Sequence, residues 1–292
     1  MTQETTHAST ILGLMAQTSI HAGTGQNTGV IDLPIQREGH NGWPCIFGSA
    51  VKGALRVKAE ESKLAELTTV FGPDTKKASE HASAIMVSDA RIVLLPVRSL
   101  TSQFKWVTCP SAIHRLYEDM LRFEVATNED KPELLTINKG TALSVEDSDD
   151  VFLEEYRFTV TQQNLPKTLA LLTKLINKEN VEGVLKKQLL ILCDDDFSYL
   201  VQHATPVTPH IVIESENKVA TNLWYEETLP PETLLYIGIS ASKSRNEKSS
   251  LNAQEVLGCV TGLFAEKPWF QVGGNETVGM GWCAVKNAKG GV

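Results

Sequence analysis

Cysteine is scarce and scattered in this chain. Cys45, Cys109, Cys193, Cys259 and Cys283 are odd in number and form no C-x-x-C pair, which argues against a disulfide framework and a structural zinc site. The expectation is a set of buried, reduced thiols in a cytoplasmic protein. Long apolar runs are also missing. The longest, such as Ile92–Val97, fall far short of the roughly 20 residues a helix needs to cross a bilayer. Met1–Ser9 lacks the basic-then-apolar order of a secretory signal. Internal repeats and low-complexity tracts are absent. So is a basic excess: 27 Lys and Arg stand against 35 Asp and Glu, a formal net charge of −8. That weighs against a generic nucleic-acid binder but leaves room for a local basic groove, because phosphate contacts depend on where the charges sit.

What is present is a chain of 292 residues with 42% hydrophobic and 21% charged content, enough for a sizeable core and too apolar for bulk disorder. Thr10–Ser19 reads as a first strand, ended by the turn His21-Ala22-Gly23-Thr24-Gly25. After the extended, proline-containing segment Gly29–Gln36, Gly48-Ser49 is a plausible cap for a helix from about Ala50 to Lys63, with Val51, Ala54 and Leu55 as its apolar stripe. Ile85–Leu95 reads as a buried strand, Phe152–Gln162 as another, and Leu165–Leu192 as helical in two pieces. The acidic patch Glu146–Asp150 reads as a solvated loop. Val207–Ile213 and Leu223–Tyr225 flank the polar tip Glu214–Lys218 as a β-hairpin. Leu234–Ser240 follows as a strand, Leu251–Phe264 as a helix, and Phe270–Val285 as strand, glycine-rich turn and strand. The order predicts a single elaborated α+β domain over 1–292. Its expected form is helices on one face of an antiparallel sheet in ferredoxin-like, RNA-recognition-like topology, with an insertion at 120–200 and a hairpin at 204–226.

The densest block of chemistry runs from His21 to Arg56. Its glycines are not a dinucleotide fingerprint, because Pro34 stands where a helix would begin, and Gly274–Gly279 is not a P-loop, because Met280 replaces the lysine. Lys52 and Arg56 are four residues apart and share a helix face. With the amides of the helix start at Ser49, they suit an RNA backbone, or else form a solvated basic face. Asp32, in an extended loop, either turns back on its own backbone as an Asx-turn or presents a carboxylate to a phosphodiester. In the second role it would hold a divalent cation such as Mg2+ or take the proton of a ribose 2′-hydroxyl. His21 is either a base or phosphate ligand, or a structural histidine at a strand end. The run Asp194-Asp195-Asp196 reads as solvation of a helix end or of a loop, since no further ligands follow at metal spacing.

The segments His21–Gly25, Gly29–Glu38 and Gly48–Arg56 resemble a RAMP-superfamily CRISPR protein, more narrowly the backbone subunit of the type III-B (Cmr) effector complex. Phe71-Gly72-Pro73, Val87–Arg91, Leu95–Ser99, Trp106–Pro110, Leu223–Glu232 and the glycine-rich Gly273–Gly281 agree, in order, across almost the whole chain. The resemblance implies a ferredoxin-like palm with a hairpin thumb. It implies copies stacked head to tail along a guide RNA, other Cmr subunits as partners, and metal-dependent cleavage of single-stranded target RNA beside each thumb. It places Asp32 at the cutting position, His21 and the Glu226-Glu227 pair near it, and Lys52, Arg56, Ser49, Gly273, Gly274 and Gly279 on the guide. A subunit that only binds guide RNA, and a stand-alone, histidine-dependent guide-processing ribonuclease, are the competing expectations.

Overall fold

The computed structural model describes residues 6–26, 28–74, 76, 79–214, 216 and 218–290. In chain order the strands are β1 His7–Ala16, β2 Cys45–Ile46, β3 Ile85–Val87, β4 Ala90–Arg98, β5 Phe104–Thr108, β6 Thr141–Ser144, β7 Val151–Leu153, β8 Tyr156–Gln162, β9 Leu189–Leu192, β10 Val207–Ile213, β11 Ala220–Glu227, β12 Leu234–Ser242, β13 Trp269–Gln271 and β14 Trp282–Asn287. The helices are α1 Gly48–Glu61, α2 Leu67–Phe71, α3 Pro110–Arg122, α4 Pro166–Thr173, α5 Val181–Gln188, α6 Asp194–His203 and α7 Ala253–Thr261.

Twelve strands make one sheet in the order β13-β14-β1-β12-β4-β5-β9-β6-β8-β7, with β2 on β4 and β3 on β12. Pairing is antiparallel except for β5 with β9 and β6 with β8. The sheet is therefore mixed rather than purely antiparallel, and helices cover both of its faces rather than one. The reason lies in the strand sequences. β1, β12 and β9 are apolar nearly throughout, and alternate residues point to opposite faces. Leu12, Leu14, Leu235, Ile237, Leu190 and Leu192 enter a core shared with Val51, Leu55 and Ala59 of α1, Phe197 of α6 and Val256 of α7. Ile11, Met15, Tyr236 and Ile191 enter a second core, closed by Ile113, Leu116 and Met120 of α3, Leu169 and Leu172 of α4, and Leu185 of α5. Each buried Leu or Ile contributes about 1.5–3 kcal/mol relative to exposure, so both layers are needed to offset ordering so large a sheet.

Residues 120–200 are not only helix and loop: β6, β7, β8 and β9 extend the sheet. Leu189–Leu192, expected as the end of a helical stretch, is the strand β9, paired parallel with β5. The hairpin β10–β11 forms a separate two-stranded sheet, joined at its root to Leu33 by an isolated parallel bridge to Glu226. Of its tip, Ser215 and Asn217 lie outside the described residues. Among the described residues no helix is long and apolar enough to cross a membrane. All five cysteines are free thiols, and burial pushes Cys45 up to about 11, far from thiolate chemistry.

Candidate functional site

The end of β1, the glycine-rich loop before β14 and the base of the hairpin meet at His21. The imidazole is nearly buried, at 9% exposure. Its Nδ1 lies 2.8 Å from the carbonyl oxygen of Glu227. A carbonyl only accepts, so Nδ1 carries the hydrogen, and in the neutral ring Nε2 is the acceptor. A side chain at Gly23 would come within 2.6 Å of Nε2, and one at Gly273 within 2.5 Å of the His21 carbonyl oxygen. The Gly274 N–H donates to that same carbonyl at 2.8 Å. These glycines are therefore required by close approach to His21, and Gly273 also by its φ of +83°. His21 is a wedged residue that fixes three segments. Gly279 (φ +82°) has open space around it.

The two glutamates at the end of β11 differ. Glu227 is 3% exposed. Its Oε1 accepts from Arg37 Nη2 at 2.5 Å and Thr205 Oγ1 at 2.6 Å, and its Oε2 from the Ile35 N–H at 3.1 Å. Arg37 also donates to the carbonyls of Gly42 and Val201. Glu227 thus belongs to a satisfied internal network that ties the hairpin to the Asp32–Arg37 segment. Glu226, 4% exposed, is less engaged. Its Oε1 accepts from Asn275 Nδ2 at 2.6 Å and lies 3.9 Å from His21 Nδ1.

Asp32 does not make the local turn bond that its loop position allowed. Its Oδ2 accepts from the backbone N–H of Tyr225, in the hairpin, at 2.8 Å. The next residue, Leu33, is inserted between the neighbours of Glu226: its N–H donates to the Tyr225 carbonyl and its carbonyl accepts from the Glu227 N–H, each at 3.0 Å. Asp32 is half-exposed and keeps Oδ1 for other partners. Among the described residues no group of three or more His, Cys, Asp or Glu side chains is placed to hold a metal ion. A single half-engaged carboxylate fits a Mg2+-type ion only if water and phosphate oxygens of bound RNA complete the shell, which is how that ion is commonly held.

On the other side of the glycine loop lies a cleft of about 650 Å3, between Gly53, Ala54, Val57 and Lys58 of α1 and Gly273 and Gly274 of the loop. The guide-contact residues expected on α1 divide here. Arg56 faces away from the cleft and is occupied: it donates to Glu60 Oε1 at 3.0 Å, the Gly72 carbonyl at 2.8 Å and Asp74 Oδ1 at 2.7 Å. Lys52 is half-buried, with its pKa lowered first by burial and then by Arg56. The helix start is not capped by Ser49. Phe47 is the N-cap residue, with no side-chain cap bond, and the Gly48 N–H is taken by Asp89 Oδ1 at 2.7 Å. That carboxylate occupies part of the anion site expected there. The Asp194–Asp196 run does open a helix, α6. Asp194 accepts from the N–H and hydroxyl of Ser111, and Asp196 from the Gly140 N–H.

A sequence profile of the RAMP superfamily matches residues 14–284, from β1 to β14. The chain belongs to the RAMP superfamily. Within it, the chain is 33% identical over 286 residues to the CRISPR system Cmr endoribonuclease Cmr4 of Pyrococcus furiosus, covering 94% of each protein. The crystal structure of oligomeric Cmr4 from that organism superposes with a TM-score of 0.73 at 26% identity, over 96% of this chain and 97% of that one. A chain of the type III-B Cmr-beta complex bound to cognate target RNA has the same fold, with a TM-score of 0.72 at 20% identity over 96% and 97% of the two chains.

The sequence assigns no partner to either glutamate. Asn275 holds Glu226, and Arg37 holds Glu227. Both lie inside the motif segments, but only the fold reveals which glutamate each one meets.

Proposed function

We propose that this chain is the repeated backbone subunit of a type III-B CRISPR effector complex, and that it binds guide RNA and cleaves complementary target RNA. Its partners in this reading are the guide, the single-stranded target, further copies of itself and other Cmr subunits, in the cytoplasm. Whole-length relatedness to a Cmr endoribonuclease supports the reading. So does the order β14-β1-β12-β4 with α1 and α7, which we read as a ferredoxin-like palm, with β10–β11 as its thumb.

The observation that carries the cutting activity is Asp32, half-exposed and held on the Tyr225 N–H at the root of the hairpin. Cleavage would proceed by attack of a ribose 2′-oxygen on the adjacent phosphorus as the P–O5′ bond breaks, leaving a 2′,3′-cyclic phosphate and a 5′-oxygen that takes a proton from water to become a 5′-hydroxyl. Asp32 Oδ1 would take the 2′-proton, with Glu226 beside it on the paired segment and His21 fixing the site's frame. A divalent cation, when bound through Asp32, would neutralise charge on the phosphate. Positioning supplies most of the rest: RNA carries its own nucleophile, so few protein groups are needed. Guide sequence is read by base pairing, and a groove without a base-specific code suffices.

The test is Asp32→Ala in complex assembled on guide RNA, incubated with matched target in Mg2+ or in EDTA. We expect normal assembly and no cleavage. Cleavage at the normal rate would move catalysis elsewhere and leave a purely structural guide-binding subunit. Undiminished cutting in EDTA would reject the metal.

A further inference from the structure

The sheet edge beside the glycine loop carries two tryptophans that the fold leaves uncovered. Trp269 of β13 and Trp282 of β14 are 48% and 39% exposed. In the β13–β14 register Gln271 faces Trp282 and Trp269 faces Ala284. The two tryptophans therefore lie on one face of the ribbon, at diagonal positions whose backbones are about 7–8 Å apart. Neither indole packs against another aromatic ring among the described residues. Both line the cleft opposite α1.

The same cleft is lined by Lys58 and Lys267, with the exposed Glu61 and Glu276. The Lys58 ammonium lies 3.4 Å from the Lys267 carbonyl oxygen and 5.2 Å from the centre of the Phe264 ring. Burial lowers its pKa, Glu61 opposes the shift and Lys267 adds to it. An anion between the two lysines would relieve that strain on the charge. Aromatic faces and ammonium groups lining one cleft are a combination that takes a nucleotide: the base stacks and the phosphate is neutralised.

We propose that Trp269 and Trp282 hold a nucleobase of the bound RNA strand, with its flanking phosphate drawn to Lys58 and Lys267. The inference rests on the guide-binding reading and names which part of the strand this cleft takes. Stacking reads no sequence, as suits a protein that must accept any guide.

The test measures binding of the full-length chain to a short single-stranded RNA and to an abasic oligonucleotide of equal length, at several salt concentrations. The Trp269→Ala, Trp282→Ala double variant should lose about tenfold or more in affinity for the RNA and nothing for the abasic strand. Trp269→Phe, which keeps a ring, should retain most of the binding. The Lys58→Ala, Lys267→Ala pair should flatten the salt dependence for both strands. If the double tryptophan variant binds RNA as the wild type does, the stacking inference falls while guide binding stands. If wild-type chain binds neither oligonucleotide, the guide-binding reading fails and takes the inference with it.

Discussion

Glu227→Ala should unfold this protein more easily, while Glu226→Gln should leave it stable and slow its cutting. Glu227 is 3% exposed and accepts three hydrogen bonds, one of them from a guanidinium. Removing one partner of a buried ion pair costs about 3–5 kcal/mol, because the other charge is left behind. Here the remaining Arg37 side chain is 23% exposed and retains two carbonyl acceptors, which favours the low end, about 3 kcal/mol. For a chain of 292 residues that corresponds to a melting temperature lower by about 5 °C. Glu227→Gln keeps an acceptor oxygen but turns an amide toward a donor, so about half the loss is expected. Glu226→Gln preserves the acceptor for Asn275 and should cost about 1 kcal/mol or less, yet it removes the carboxylate charge beside His21. Thermal melting of the purified variants, paired with target cleavage in assembled complex, reads both effects. A Glu227→Ala protein that melts within about 2 °C of wild type, or a Glu226→Gln protein less stable than Glu227→Gln, would refute the assignment of the two glutamates.

Four other variants each test a single contact. Arg56→Ala should destabilise by about 1–2 kcal/mol, since it loses Gly72, Asp74 and Glu60, and should leave the salt slope of RNA binding unchanged. Lys52→Ala should instead lower that slope by about 0.7 if its ammonium meets one phosphate. Gly273→Ala, at φ +83° with a Cβ 2.5 Å from the His21 carbonyl oxygen, should cost about 1–3 kcal/mol in chemical denaturation. Asp194 is held below the usual carboxylate range: burial opposes this, but the two Ser111 bonds outweigh it. A depressed folded pKa means stability present above the unfolded value of about 3.9 and lost as pH falls through the folded one. The urea midpoint of wild type should therefore exceed that of Asp194→Asn at neutral pH, with the gap closing below about pH 4; a gap that persists in acid would contradict the contact.

Local signals carried the legible part of the fold. The hairpin was readable from two β-prone runs around a polar tip, α1 from a stripe at helical spacing, and the β13–β14 pair from aromatic residues around glycines. Leu189–Leu192 was not readable, because four consecutive apolar residues suit a buried strand or a helix equally. The two-sided burial of the sheet followed from the apolar content of β12, but only if that strand is known to be central. At the site, the fold brings the sequence-selected segments together and gives several of their residues internal partners that spacing does not reveal. Arg56 looks like a free cation until Gly72 and Asp74, which follow α2, meet it, and Gly273 reads as a guide-binding glycine although its missing side chain also makes room for the His21 carbonyl. Such roles depend on contacts between residues tens to hundreds of positions apart, which spacing along the chain does not encode.

Asp32 joins the two halves of the argument, and its conservative variant separates them. An isolated two-stranded hairpin is marginal in water, so the attitude of β10–β11 depends on its root. There Asp32 accepts from the Tyr225 N–H, Leu33 bridges Tyr225 and Glu227, and Glu227 locks onto Arg37. Asp32→Ala removes a carboxylate and also one of these ties, so lost cutting could come from a displaced arm. Asp32→Asn keeps a carbonyl oxygen that can accept from Tyr225 while losing the charge and the proton acceptor. If the arm alone matters, Asp32→Asn should cut target RNA nearly as fast as wild type, and hydrogen exchange at Tyr225 should rise only in Asp32→Ala. If the carboxylate does the chemistry, Asp32→Asn should be as inactive as Asp32→Ala, with the Tyr225 amide still protected. We expect the second outcome, because Oδ2 meets the arm while Oδ1 has no hydrogen-bond partner among the described residues.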